Sequence, residues 1–203
     1  MMVMASRPAS AVQWVIMRRW LVIGTALLLA SCGGPTMRPS VPNGVVPPAA
    51  SSSLPSFTME LTSTAFVQGS SLPSSVTCDG QGALPPLVVS GVPSGAKTLA
   101  LIVADPDAPS GNFVHWTAWN IPPQNGSLAP LPPGSVQGMT SIGEAGWVPP
   151  CPPSGSHRYV FTVFALDVAP DLTSSAGETD LRKAMEGHVL AETKLVGKYQ
   201  RTK

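Results

Sequence analysis

The chain has 203 residues, a formal net charge of +1, 43% hydrophobic and 11% charged residues, and 23 prolines beside 19 glycines. Charge at less than half the ~25% share usual in soluble domains argues against a coiled coil, a charged solvating tail or a basic nucleic-acid binder. The hydrophobic content argues against disorder throughout, which leaves a turn-rich, mainly β domain with few long helices.

Residues 1–31 read as an address. Arg7, Arg18 and Arg19 precede an apolar run over 21–30 that closes on Leu29-Ala30-Ser31-Cys32. Basic, then apolar, then small residues make a secretory signal, and the run is far short of the ~20 residues that span a bilayer. Its tail resembles a bacterial lipobox. That resemblance implies a diacylglycerol on the Cys32 sulfur, with palmitate-like acyl chains holding an extracytoplasmic protein to a bacterial membrane. An ordinary signal peptide with a chance cysteine is the plainer alternative. Met17 opens a tidier signal than Met1, so either can be the start. Residues 32–56 are rich in Pro, Ser and Gly without a periodic apolar face, and read as a semi-extended tether to a domain at 57–203. Without the three signal arginines, nine basic residues face eleven acidic ones, and none lies between Lys97 and Arg158. Nucleic acid is not an expected partner.

Within the domain, weak strands are expected at 58–62 and 87–89. The apolar run 99–104 reads as a buried strand stopped by Asp105-Pro106. Aromatic and β-branched residues make 114–121 a second strand. The third, 157–166, puts His157, Tyr159, Phe161 and Val163 on one face. Residues 122–143 and 144–156 read as loops. Thr179-Asp180 can cap a helix in which Leu181, Met185, Val189 and Leu190 recur at helical spacing, weakened by Gly187. Residues 191–196 either continue it or close as a strand.

Asp105 and Asp107 sit in a proline-bounded turn at a strand end. His115 and His157 each open a strand just after a Gly/Pro loop. If those strands are neighbours, two imidazoles and a carboxylate line one pocket. Satisfied strand histidines with no ligand are the plainer reading.

The run Asp105-Pro-Asp-Ala-Pro109, then His115-Trp116, Asn120-Ile121-Pro122, Cys151-Pro-Pro153, Gly155 and His157-Arg-Tyr159 resembles the phosphatidylethanolamine-binding protein family, also called Raf kinase inhibitor-like proteins. Thr77-Cys-Asp-Gly80 and the stretch 186–191 look like its bacterial branch, and the likeness covers about residues 57–200. It implies a mainly β fold of two antiparallel sheets, with a C-terminal helix near the mouth of a small anion pocket. Asp105, His115, Pro152, Pro153, His157 and Tyr159 are the implied lining, and Asp107 is implied to brace the turn. Phosphate, phosphoethanolamine or a similar head group is the implied ligand, and a kinase or protease the implied protein target. The family is one of binding or inhibitory proteins, so neither catalysis nor a cofactor is expected. Asp105 is expected to accept from a ligand ammonium or hydroxyl, or to hold a histidine tautomer. Phe113 is expected to form an aromatic wall. The chain departs from the pattern at Pro149, where Gly is expected and where proline removes one backbone donor.

The rival is a hydrolase or metal-dependent enzyme built on Asp105, His115, His157 and Cys151. Their spacing is not one specific for metal. With Cys32 acylated, Cys78 and Cys151 are expected to pair in an extracytoplasmic compartment, with free thiols and a nucleophilic Cys151 as the alternative. Trp116, Trp119 and Trp147 are expected to pack within the sheets. Arg158 is expected to point away from the His157 face, and His188 to be an ordinary helix residue.

Overall fold

A computed structural model describes residues 58–201. The expected signal at 1–31 with its alternative start at Met17, the expected acylation site Cys32 and the expected tether at 32–56 lie outside the described residues. Those described form strands β1 (Glu60–Thr62), β2 (Val88–Ser90), β3 (Thr98–Asp105), β4 (Phe113–Ile121), β5 (Gly126–Ser127), β6 (Val136–Gln137) and β7 (Ser156–Leu166). Helix α1 (Glu178–Met185) and strand β8 (Val189–Gln200) follow. They build two antiparallel sheets, one in the order β1-β2-β5 and one in the order β6-β4-β3-β7-β8.

The unbroken apolar run of β3 has a direct cause: every one of its residues is buried. Leu99, Leu101 and Val103 face the core between the sheets, together with Leu61, Val89, Phe161 and Val163. Ala100, Ile102 and Ala104 face the other way, onto a second cluster with Phe164, Leu166 and the helix residues Leu181 and Met185. A strand buried on both faces loses the polar alternation of a half-exposed one. The described residues thus form three layers, with the large sheet in the middle.

Three details depart from the sequence reading. Residues 122–143 contain β5 and β6 rather than being loop alone; β6 borders β4, where Trp116 Nε1 donates to Gln137 Oε1 at 2.7 Å. The helix stops at Met185, because Gly187 turns left-handed at φ 77° and the His188 N–H closes on the Met185 carbonyl at 3.0 Å. Val189 and Leu190 therefore belong to β8 and are exposed, and 191–196 is strand. Finally, β4 is bulged twice. Its register against β3 skips Asn120, whose φ is +54°, and skips His115. A bulge adds a residue and re-aims the side chains beside it.

Candidate functional site

Asp105 ends β3, His115 lies near the start of β4, and His157 and Tyr159 open β7. Because β3 pairs with both β4 and β7, these ends converge. The proline-rich segment 148–153 closes the far side of a cavity of about 180 Å³. Asp105, His115, Pro152, Pro153, His157 and Tyr159 all line it, joined by Phe113, Val148, Pro149 and Cys151.

The bulge explains how His115 gets there. Consecutive residues of a regular strand point to opposite faces, yet His115 and Trp116 both pack on Trp147, with ring centroids 6.4 and 6.2 Å away. The extra residue turns His115 inward, against Phe113 at 4.8 Å and edge-on to Tyr159 at 5.2 Å.

Both imidazoles have a fixed tautomer. His157 Nδ1 donates to Asp105 Oδ2 at 2.7 Å, and both residues are buried. His115 Nδ1 donates to the Val148 carbonyl at 2.8 Å. Each partner is an acceptor, so the proton is assigned to Nδ1 and Nε2 is left as the second site of each ring. Burial holds the His115 pKa below the ordinary histidine range, outweighing the Val148 hydrogen bond and the Asp105 charge, which act the other way. His115 is neutral at neutral pH. The Tyr159 hydroxyl is buried with no hydrogen-bond partner among the described residues. Its burial, with the Asp105 charge as a lesser cause, pushes its pKa far up, so it stays a phenol with a proton to donate.

Asp105 Oδ1 holds the turn from within, accepting the Asp107 N–H at 2.8 Å, and Asp107 lies outside the cavity's lining and holds the turn from without. The Asp107 carboxylate reaches β7, where Arg158 offers its backbone N–H, Nε and Nη2 at 2.9, 2.8 and 2.6 Å. Those donors lower the Asp107 pKa to about 2. Arg158 itself is exposed, away from the cavity.

Cys78 and Cys151 form a disulfide, with Cα atoms 5.3 Å apart. The Cys151 sulfur is therefore no thiolate, and the nucleophile reading of Cys151 fails for this state. Beside the bond, the Cys78 N–H donates to the Pro150 carbonyl at 3.0 Å, so the pocket wall is fastened to the turn after Ser74–Val76. Among the described residues no three His, Cys, Asp or Glu side chains converge as a metal site. Asp105 and His157 are committed to each other instead.

Pro149 lines the cavity and leans on Gly82, a left-handed residue at φ 63°. A β-carbon at 82 would meet the proline ring at 3.1 Å. Proline is accommodated here because residue 82 has no side chain. Sequence reasoning missed the Val148 carbonyl as the group that orients His115, and a backbone oxygen leaves no residue signature. His188 lies between α1 and β8, where it pairs with Asp167 at 2.8 Å, outside the lining. Trp116 and Trp119 are buried packing residues, and Trp147 donates to the Gly82 carbonyl at 3.0 Å. Helix α1 meets the pocket's rim through Glu178, which accepts from Asn112 Nδ2 at 2.8 Å beside Phe113. None of its residues enters the lining.

The model of the phosphatidylethanolamine-binding protein family matches residues 62–200. The UPF0098 protein of Methanothermobacter thermautotrophicus is 49% identical over 150 residues, covering 70% of this chain and 99% of that one. A crystal structure of a phosphatidylethanolamine-binding protein homologue from Chlamydia trachomatis is 41% identical with a TM-score of 0.69, over 72% of this chain and all (100%) of that one. Escherichia coli YbcL, described as a member of the mammalian family, is 31% identical with a TM-score of 0.66, over 71% and 99%. With the two antiparallel sheets, the single helix near the C-terminus and the motifs in order, these matches establish that the chain belongs to the phosphatidylethanolamine-binding protein family.

Proposed function

We propose that the pocket binds a small anionic or phosphorylated ligand, inorganic phosphate or a phosphoethanolamine head group, in a protein lipid-anchored outside the cytoplasm. The observation that carries this is the state of the pocket's polar groups. Both imidazoles have Nδ1 spoken for and Nε2 uncommitted, and the Tyr159 hydroxyl is a buried donor without an acceptor. A buried donor left unpaired costs free energy, which a ligand oxygen relieves. An imidazolium Nε2 or a phenol donates to a phosphate oxygen, and Asp105 receives an ammonium or hydroxyl on the same ligand. Pro149 supplies no N–H, so the side chains carry the recognition. The Cys78–Cys151 bond supports an oxidising compartment, in keeping with the signal and Cys32. Docking of a kinase or protease over the loaded pocket is the regulatory role this reading favours.

The test is a histidine-resolved NMR titration with phosphate and with phosphoethanolamine. Both are expected to move the His115 and His157 ring signals. Rings that stay unmoved at millimolar ligand overturn the anion-site reading.

A further inference from the structure

The connection between β3 and β4, residues 106–112, forms one lip of the cavity. Ala108, Pro109 and Ser110 line it, and Phe113 follows where β4 begins. Both ends of the lip are anchored. At one end Asp107 accepts its three hydrogen bonds from Arg158, and at the other the Val114 N–H donates to Ser141 Oγ at 2.8 Å. Between these anchors the Gly111 N–H closes on the Ala108 carbonyl at 2.9 Å, which stays inside the lip. Asn112 Nδ2 leaves it, donating to Glu178 Oε2 at 2.8 Å. Among the described residues, that is the side-chain hydrogen bond tying the middle of the lip to the rest of the fold.

Glu178 is itself held in place. Its side chain is 13% exposed, and Oε1 accepts from Arg182 Nε at 2.7 Å, which leaves Oε2 to Asn112. Arg182 lies one turn further along α1, its guanidinium 6.0 Å from the centre of the buried Phe164 ring. Leu181 and Met185 seat the helix on the large sheet, and the Met139 N–H donates to the Ala176 carbonyl at 2.8 Å just before it. A group that orients a site does so only when packing and hydrogen bonds lock its own rotamer. Glu178 meets that condition.

We propose that Glu178 is a positioning residue of the anion pocket. Through Asn112 it fixes the lip 108–113 against the cavity, so α1 sets how tightly the ligand is held without entering the lining. This rests on the pocket being an anion site and names what regulates it.

Charge gives the test its sign. A carboxylate near an anion site repels the ligand, so removing it for its charge alone raises affinity. Removing it as the anchor of the lip lowers affinity. Glu178→Gln and Glu178→Ala delete the same charge, and only Gln keeps an oxygen for Asn112 Nδ2. In calorimetric titration with inorganic phosphate, Glu178→Gln is expected to bind at least as tightly as the wild type. Glu178→Ala and Asn112→Ala are expected to bind roughly two- to tenfold more weakly, the scale of one hydrogen bond. Asn112→Ala/Glu178→Ala is expected to be no weaker than the weaker single variant, since one bond is lost only once. If Glu178→Ala binds as tightly as Glu178→Gln, or the two alanine losses add, the positioning role is overturned and the anion reading stands. If the wild type binds no phosphate, the anion reading falls and this role falls with it.

Discussion

His115 is buried and neutral, and its Nδ1–H is held by the Val148 carbonyl. In that state Nε2 accepts hydrogen bonds and faces an anion lone pair to lone pair. Protonation turns it into a donor, so binding a proton-free anion draws a proton onto this ring. Asp105 favours that proton while burial and His157 oppose it. Sulfate, which does not titrate in this range, is therefore expected to bind more tightly as pH falls from above the ordinary histidine value of 6.5 to below it. Calorimetry in buffers of different ionisation enthalpy should show proton uptake; affinity that falls with acid refutes the link. Stability moves the opposite way. The unfolded histidine takes its proton first, so the stabilisation from a neutral His115 is full above pH 6.5 and is lost progressively as pH falls from there through the lower folded value. The same acid that helps an anion bind loosens the empty protein.

Among the elements, the segment 146–153 carries five of the pocket's thirteen lining residues on little secondary structure. Its fastenings are the Cys78–Cys151 bond, the Val148 N–H to the His115 carbonyl at 2.9 Å, and Trp147 Nε1 to Gly82. The disulfide closes a loop across 73 residues, and such bonds typically stabilise a fold by about 2–4 kcal/mol. A Cys78→Ser/Cys151→Ser variant is expected to lose that much in denaturant unfolding and to broaden the His115 ring signal. A variant as stable as the wild type, with a sharp ring signal, would show that the hydrogen bonds alone hold the wall. The strands that bring the site together were legible because burial writes itself into composition: the unbroken apolar run 99–104 reads as a buried strand, and the structure covers it on both sides. The bulges at His115 and Asn120 were not legible, since alternation is a statement about regular strands and an extra residue obeys no period. Gly138 is similarly silent in the sequence, although any side chain there would strike the buried Trp119 ring. The over-long helix is the complementary case. Val189 and Leu190 have helical spacing, but Gly187 and pairing with β7 decide their state.

At the scale of the whole chain, charge and compartment organise the reading. The acidic balance beyond residue 31, and the absence of basic residues from 98 to 157, agree with a pocket whose lining has neither Lys nor Arg. The family and its two sheets were readable from separated motifs in the right order, because each motif marks a strand end that the topology brings to one place. The partner of Asp107 was not, because Arg158 lies 51 residues away in a separate motif. The proposed membrane attachment rests on Cys32. Cys32→Ser is expected to move the protein from the membrane fraction to the soluble one, and retention by the membrane would sink the lipid anchor.

The end of β8 is tied back in an unusual place. Asp79 accepts from the Tyr199 hydroxyl at 2.8 Å and from Arg201 Nε at 3.0 Å, next door to the disulfide at Cys78. Mechanically, this joins the tail to the pocket wall by a route that bypasses the sheets. Tension applied beyond Arg201 loads Asp79, then Cys78, then Cys151 and the prolines that follow it. Because Tyr199 and Gln200 also pair with His157 and Ser156 in the β7–β8 ladder, the tail is held to the pocket by two routes, one through the sheet and one through Asp79 and the disulfide.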